Sequence, residues 1–365
     1  MATEPQATGL PVVWRIPLLA LGLLSMLAGV GAGLLRLGWA VPLPHPALAA
    51  VHGPLMVAAF FGTVIGLERA VALGQRWGFA APAACGLGGV ALIAGFPALA
   101  ALALTTGGAV LLTAVTLFAA RRQPALHTRL LSLAAALSAV AGVAWGCGAT
   151  RLAVAGWMSF LVLTIAGERL ELSRFLPPSP VARKVFVGIV ALLLYALALT
   201  GRDDAVPGLR LFGFSLALMA LWLLRQDVAR RTARQPGLTG FIARCLLSGY
   251  VWLLTGGLLL ALQPAMPLLM DAALHAVFVG FVLAMVFGHA PIIFPAILRV
   301  KLPYHASFHL SLALLHLSLL LRVGGDLAGN AMLRSLGGLG NALCIAVFIV
   351  TMALAAFRGR RAQTG

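Results

Sequence analysis

Acidic residues are scarce in this chain: nine Asp and Glu stand against twenty-six Lys and Arg in 365 residues. No pair of carboxylates is placed for general acid–base work, no nucleophile triad is visible and no phosphate-cradling glycine loop is present. So few acids also argue against most ion-coupled pumps. Cysteine is rarer still. Cys85, Cys147, Cys245 and Cys344 are scattered singly, so no thiol pair points to a redox disulfide, and the missing Cys-x-x-Cys-His run excludes covalent attachment of a c-type haem. They read as small buried residues. Any chemistry must therefore come from a bound cofactor.

Charge as a whole is low, at 10% of residues, while 61% are hydrophobic and the mean hydropathy is +1.03. That composition belongs to a polytopic membrane protein. Apolar stretches near the length needed to cross a hydrocarbon core recur along the chain. They predict twelve helical spans, near residues 13–36, 46–67, 78–95, 97–120, 128–149, 152–172, 183–201, 208–224, 241–262, 268–296, 304–322 and 332–357. Only Gly95, Phe96 and Pro97 separate the third from the fourth. The expected fold is an all-α membrane protein, one polytopic domain over residues 1–365, with membrane lipid as its surroundings.

The net charge of +17 has a topological explanation. Loops after even-numbered spans and the C-terminal tail hold nineteen Arg and Lys, among them Arg121, Arg122, Arg230, Arg231, Arg234 and Arg358; loops after odd-numbered spans hold six. Positive residues collect on the cytoplasmic side, so both termini are expected there. Basic clusters beside anionic lipid make a nucleic-acid role an unneeded explanation. The N-terminus lacks a basic start and a clear cleavage site, so the first span is expected to stay.

Two histidines interrupt apolar spans: His52 in AAVHGPLMVAAFFGTVIG and His275 in DAALHAVFVGFVLAMVFGHAPIIFPAIL. An ionisable group at membrane depth is a functional-site candidate. Both spans begin on the expected outer side, and counting from Pro46 and Pro267 places both imidazoles roughly 9–12 Å inside. Two imidazoles at one depth suit a low-spin haem iron held from both faces. Gly53 and Gly280 would let a flat ring approach the backbone. The alternative is two unrelated core histidines, each bonded to a neighbouring helix.

The same segments carry a family resemblance. The second span resembles the second helix of heme-copper oxidase subunit I, where a His followed by Gly and a Leu-Met pair ligates low-spin haem. The tenth resembles that family's tenth helix, which supplies the opposite ligand. The resemblance implies His52 and His275 as axial ligands of a b-type haem (heme b), and a bundle of pseudo-threefold, four-helix units. TVIGLERAVAL and LTIAGERLEL, 100 residues apart, are consistent with such a repeat. One departure is decisive: spans six and seven contain no histidine, so the oxygen-reducing copper centre is absent. Among relatives of that family the chain most resembles the NnrS proteins, twelve-span haem- and copper-containing bacterial proteins linked to the nitric oxide response. ALHAVFVG and LLLRVGGDLAG carry that likeness, whereas the NnrS N-terminal histidine motif is not matched cleanly. What it implies is a bacterial inner-membrane location and nitric oxide as ligand.

Span eleven adds His305, His309 and His316, which share one helix face because four residues turn to about 40° and eleven to about 20°. His305 and His316 are roughly 16 Å apart along the axis, too far for one metal. His289 on span ten is the expected partner of His309 for copper or a second haem. Interfacial placement, helix-to-helix hydrogen bonds and a proton path are the alternatives. Arg322, at the expected outer end of span eleven, could pair with a haem propionate, as in the oxidases it resembles, or anchor the helix at the interface. Two rival functions stand beside the haem protein: a twelve-span transporter, and a b-type cytochrome passing electrons from quinol.

Overall fold

The computed structural model describes residues 9–173, 177–262 and 266–364. Among them are twelve helices long and apolar enough to cross a membrane. They are α1 (Val12–Arg36), α2 (Pro46–Leu73), α3 (Arg76–Ile93), α4 (Ala98–Arg122), α5 (Leu126–Gly146), α6 (Thr150–Leu172), α7 (Pro180–Thr200), α8 (Val206–Gln226), α9 (Gly237–Leu262), α10 (Pro267–Leu298), α11 (Phe308–Leu327) and α12 (Ala331–Arg360). No strand occurs among the described residues. The protein is an all-α, twelve-span membrane protein.

Helix ends follow local chemistry. Gly95 adopts φ of 76° and breaks the chain between α3 and α4, and Pro97 precedes the first residue of α4, so the short separator is a genuine boundary. Two helices differ most from expectation. α2 runs on to Leu73, past Glu68 and Arg69, which pair at 3.5 Å, and ends at Gly74 with φ of 72°. α11 begins four residues later than expected, because the His305 ring and the Ser307 hydroxyl and amide close a turn ahead of it. It ends five residues later, since Arg322 and Asp326 are matched by partners and do not need water.

The chain divides into two compact units, one reaching to Gly167 with Ala296–Arg299, the other holding Glu168–Pro295 and the chain from Val300 onward. In the first, α1 packs on α2 and α3, α3 on α4, and α4 on α5. In the second, neighbours in sequence pack as neighbours from α7 to α12, with α9 also touching α11. Lipid offers no hydrophobic drive between helices, so close backbone approach has to hold them. Glycine provides it. A Cβ at Gly213 of α8 would lie 2.6 Å from the Gly257 carbonyl oxygen of α9, and one at Gly257 2.7 Å from that of Gly213. A Cβ at Gly88 of α3 would lie 2.8 Å from the Ala101 carbonyl oxygen of α4.

Candidate functional site

His52 follows the 3-10 segment Pro46–Val51 that opens α2. Its Nδ1–H donates to the Gly29 carbonyl of α1 at 2.7 Å. A carbonyl can only accept, so this bond puts the proton on Nδ1 and the ring lone pair on Nε2. One turn further along α1, Gly33 gives the ring its place: a Cβ there would lie 2.9 Å from His52 Cε1. On the other side of the residue, a Cβ at Gly53 would meet no atom within 4 Å.

In the second unit, His275 has the same preparation. Its Nδ1–H donates to the Asp271 carbonyl at 2.8 Å, one turn back on α10, with the Asp271 carboxylate 3.6 Å away. Nε2 is again the lone-pair nitrogen. A second feature is common to both residues. α2 becomes π-helical over Leu55–Phe61 and α10 over Ala276–Leu283, so each stretch begins within three residues of one of these histidines. Such departures from the α pattern gather at functional sites, where they re-aim side chains. Gly280 departs from expectation. It receives the Trp252 ring of α9, whose Cγ would lie 2.4 Å from a Cβ there, so the glycine serves helix packing and not the approach of a flat ligand.

Arg322 is buried inside α11, with 5% of its side chain exposed, and it faces carboxylates of its own unit. It donates to Asp271 Oδ2 at 2.6 Å and lies 3.5 Å from Asp326, whose side chain is fully buried. Arg334 of α12 reaches the same two acids, at 3.4 Å and 2.9 Å. Two guanidiniums and two carboxylates thus join α10, α11 and α12 around the residue that anchors His275. The expected interfacial arginine is one corner of this network. Asp271 and Asp326 are not among the expected site residues, although an acid within an apolar span is itself a signal, above all in a chain with so few acids.

The other intramembrane histidines have separate surroundings. His316 accepts from Trp252 Nε1–H at 3.0 Å through Nδ1, which places its proton on Nε2. His309 Nε2 lies 3.1 Å from the Tyr304 hydroxyl and 3.4 Å from Arg244. His305 is exposed in the turn already described. His289 donates from Nδ1 to the Met285 carbonyl at 2.7 Å and has Glu168, Arg169 and Asp227 within electrostatic range. The described residues hold no group of three or more His, Cys, Asp or Glu placed to share a metal ion. The four rings thus make four distinct polar contacts.

A family model described as "Domain of unknown function (DUF8744)" matches residues 15–357. No curated protein and no solved structure matches the chain.

Proposed function

We infer that this chain, which belongs to the DUF8744 family, is a membrane protein that binds b-type haem through His52 and His275. The observation that supports the reading is the shared preparation of the two rings. Each has Nδ1–H bound to a backbone carbonyl, which fixes the tautomer and directs Nε2 as the ligating nitrogen. Each stands at the lip of a π-helical stretch. Metal-ligating histidines need this second contact to hold their orientation. The two are not equivalent: the Asp271 carboxylate beside His275 makes that imidazole the stronger electron donor.

A haem would supply an iron able to take a diatomic gas or pass an electron. The protein's part is to hold two neutral imidazoles in fixed tautomers, with Gly33 leaving room for one ring and Asp271 polarising the other. A role in the response to nitric oxide, in a bacterial inner membrane with both termini cytoplasmic, belongs to the same proposal. It rests on the NnrS resemblance and on the arginine bias of the loops.

The test is the optical spectrum of detergent-purified protein, oxidised and dithionite-reduced, beside His52→Ala, His275→Ala and the double variant. Sharp reduced bands in the wild type, lost in the double variant and altered by nitric oxide, support the reading. A wild type without haem, after expression with ample haem supply, refutes it and leaves the twelve-span transporter as the better account.

A further inference from the structure

Where α8 ends and α9 begins, five arginines fall within twenty residues: Arg225, Arg230, Arg231, Arg234 and Arg244, all of them exposed. The one acid in that stretch, Asp227, is committed elsewhere. Its Oδ1 accepts from the Ala229 amide at 2.8 Å, and its Oδ2 accepts from the buried Tyr250 hydroxyl at 2.5 Å and lies 4.0 Å from Arg169. Among the described residues none of the five arginines pairs with a carboxylate. A charge bias between loops accounts for the number of these arginines. It does not account for how Arg244 is held.

The Arg244 guanidinium is fixed from two sides. One terminal nitrogen donates to the Ala233 carbonyl, in the loop after α8, at 3.2 Å. The other lies 3.4 Å from His309 Nε2 of α11, which also has the Tyr304 hydroxyl at 3.1 Å. Gly240, one turn back on α9, leaves the room, since a Cβ there would lie 3.2 Å from that second nitrogen. A guanidinium can only donate, so His309 offers the Nε2 lone pair and is neutral. Phe241 braces the imidazole edge to face, with ring centroids 5.1 Å apart. The other N–H groups of Arg244 have no partner among the described residues. A planar fork of donors, held in place at the surface with no carboxylate on it, matches the oxygens of a phosphate.

Depth and neighbours narrow the source of that phosphate. From Arg244 to the last residue of α9, Leu262, is about 27 Å at 1.5 Å per residue, close to a hydrocarbon thickness of about 30 Å, which puts the guanidinium at headgroup level. Val251 and Leu258 continue its face of α9 at heptad spacing, and Leu310 and Leu317 run along α11 beside His309; all four are exposed. We propose that Arg244, positioned by His309, binds the phosphate of an anionic phospholipid whose acyl chains lie against these apolar residues. The neighbouring loop arginines attract the negative headgroup, and the held guanidinium grips it. The site is separate from His52 and His275 and does not depend on haem.

The experiment is native mass spectrometry of the full chain released from detergent micelles doped with equal amounts of phosphatidylglycerol and phosphatidylcholine. Wild type is expected to retain phosphatidylglycerol in preference to phosphatidylcholine. Arg244→Gln should cut that retention severalfold, whereas Arg121→Gln, which removes an exposed arginine at the end of α4, should leave it unchanged. His309→Leu separates a built site from a merely charged face: it alters no charge but frees the guanidinium, so retention should again fall severalfold. Elution of each variant at the wild-type position in size exclusion shows that it is folded. Equal retention of the two lipids by wild type overturns the proposal, as does wild-type retention in folded Arg244→Gln or His309→Leu. Displacement of the lipid by excess inorganic phosphate also overturns it, by making free phosphate the ligand. Should His309→Leu fail to fold, the wild-type preference and Arg244→Gln still decide.

Discussion

A single methyl group is enough to test the placement of His52. Gly33→Ala brings a Cβ to 2.9 Å from the ring, whereas Gly53→Ala meets nothing within 4 Å. If the proposed haem is bound, the first substitution should lower haem content severalfold with the protein still folded, and the second should match wild type; absorbance per mole of purified protein decides. Arg322→Leu makes a different point. It leaves the fully buried Asp326 with one cation in place of two and removes the 2.6 Å bond to Asp271. Breaking a buried charge network by removing one partner costs about 3–5 kcal/mol, so a markedly lower thermal unfolding midpoint in detergent is expected. His52 and His275 were legible in the sequence because a histidine inside an apolar run needs no other information to stand out. The partner of Arg322 on α10 was not, because Asp271 lies 51 residues earlier in the chain and sequence distance says nothing about which helices adjoin.

Among the elements, the spans themselves were the most readable feature. The hydrocarbon core imposes a length and an apolar composition directly on each one, and ten of the twelve differ from expectation by at most four residues at either end. α2 and α11 differ more, and their late C-terminal ends share one reason: charged residues that look like helix ends are neutralised by partners and stay within the helix. The π-helical stretches could not be read at all. Whether an amide bonds four or five residues back is set by packing, and the apolar residues of Leu55–Phe61 suit both. The junction of α9, α10 and α11 gives the element-scale test. Gly280 makes room for Trp252, which in turn donates to His316. Gly280→Ala should push the indole aside, costing about 1–3 kcal/mol in thermal stability and changing tryptophan emission. Unchanged emission and stability would show that the three helices do not meet through this contact.

For the molecule as a whole, the expected sidedness can be checked with a native handle. Among the described residues Cys85, Cys245 and Cys344 are buried, whereas Cys147 is exposed between α5 and α6. If the N-terminus is cytoplasmic, odd-numbered spans end outside, and a membrane-impermeant maleimide should label Cys147 in intact cells. Labelling only after the membrane is opened would invert the topology and, with it, the side from which every site is reached. The contact between α8 and α9 has a consequence on a longer timescale. Leu221, Val251 and Leu258 are exposed on these two helices, and any apolar side chain serves there as the sequence diverges. Gly213 and Gly257 have no such latitude, since each occupies the space against the other's carbonyl and one added carbon on either forces the helices apart. Mutational drift in this pair of helices therefore runs along their outward faces, and the two glycines are the fixed points by which a remote descendant of the chain would still be recognised.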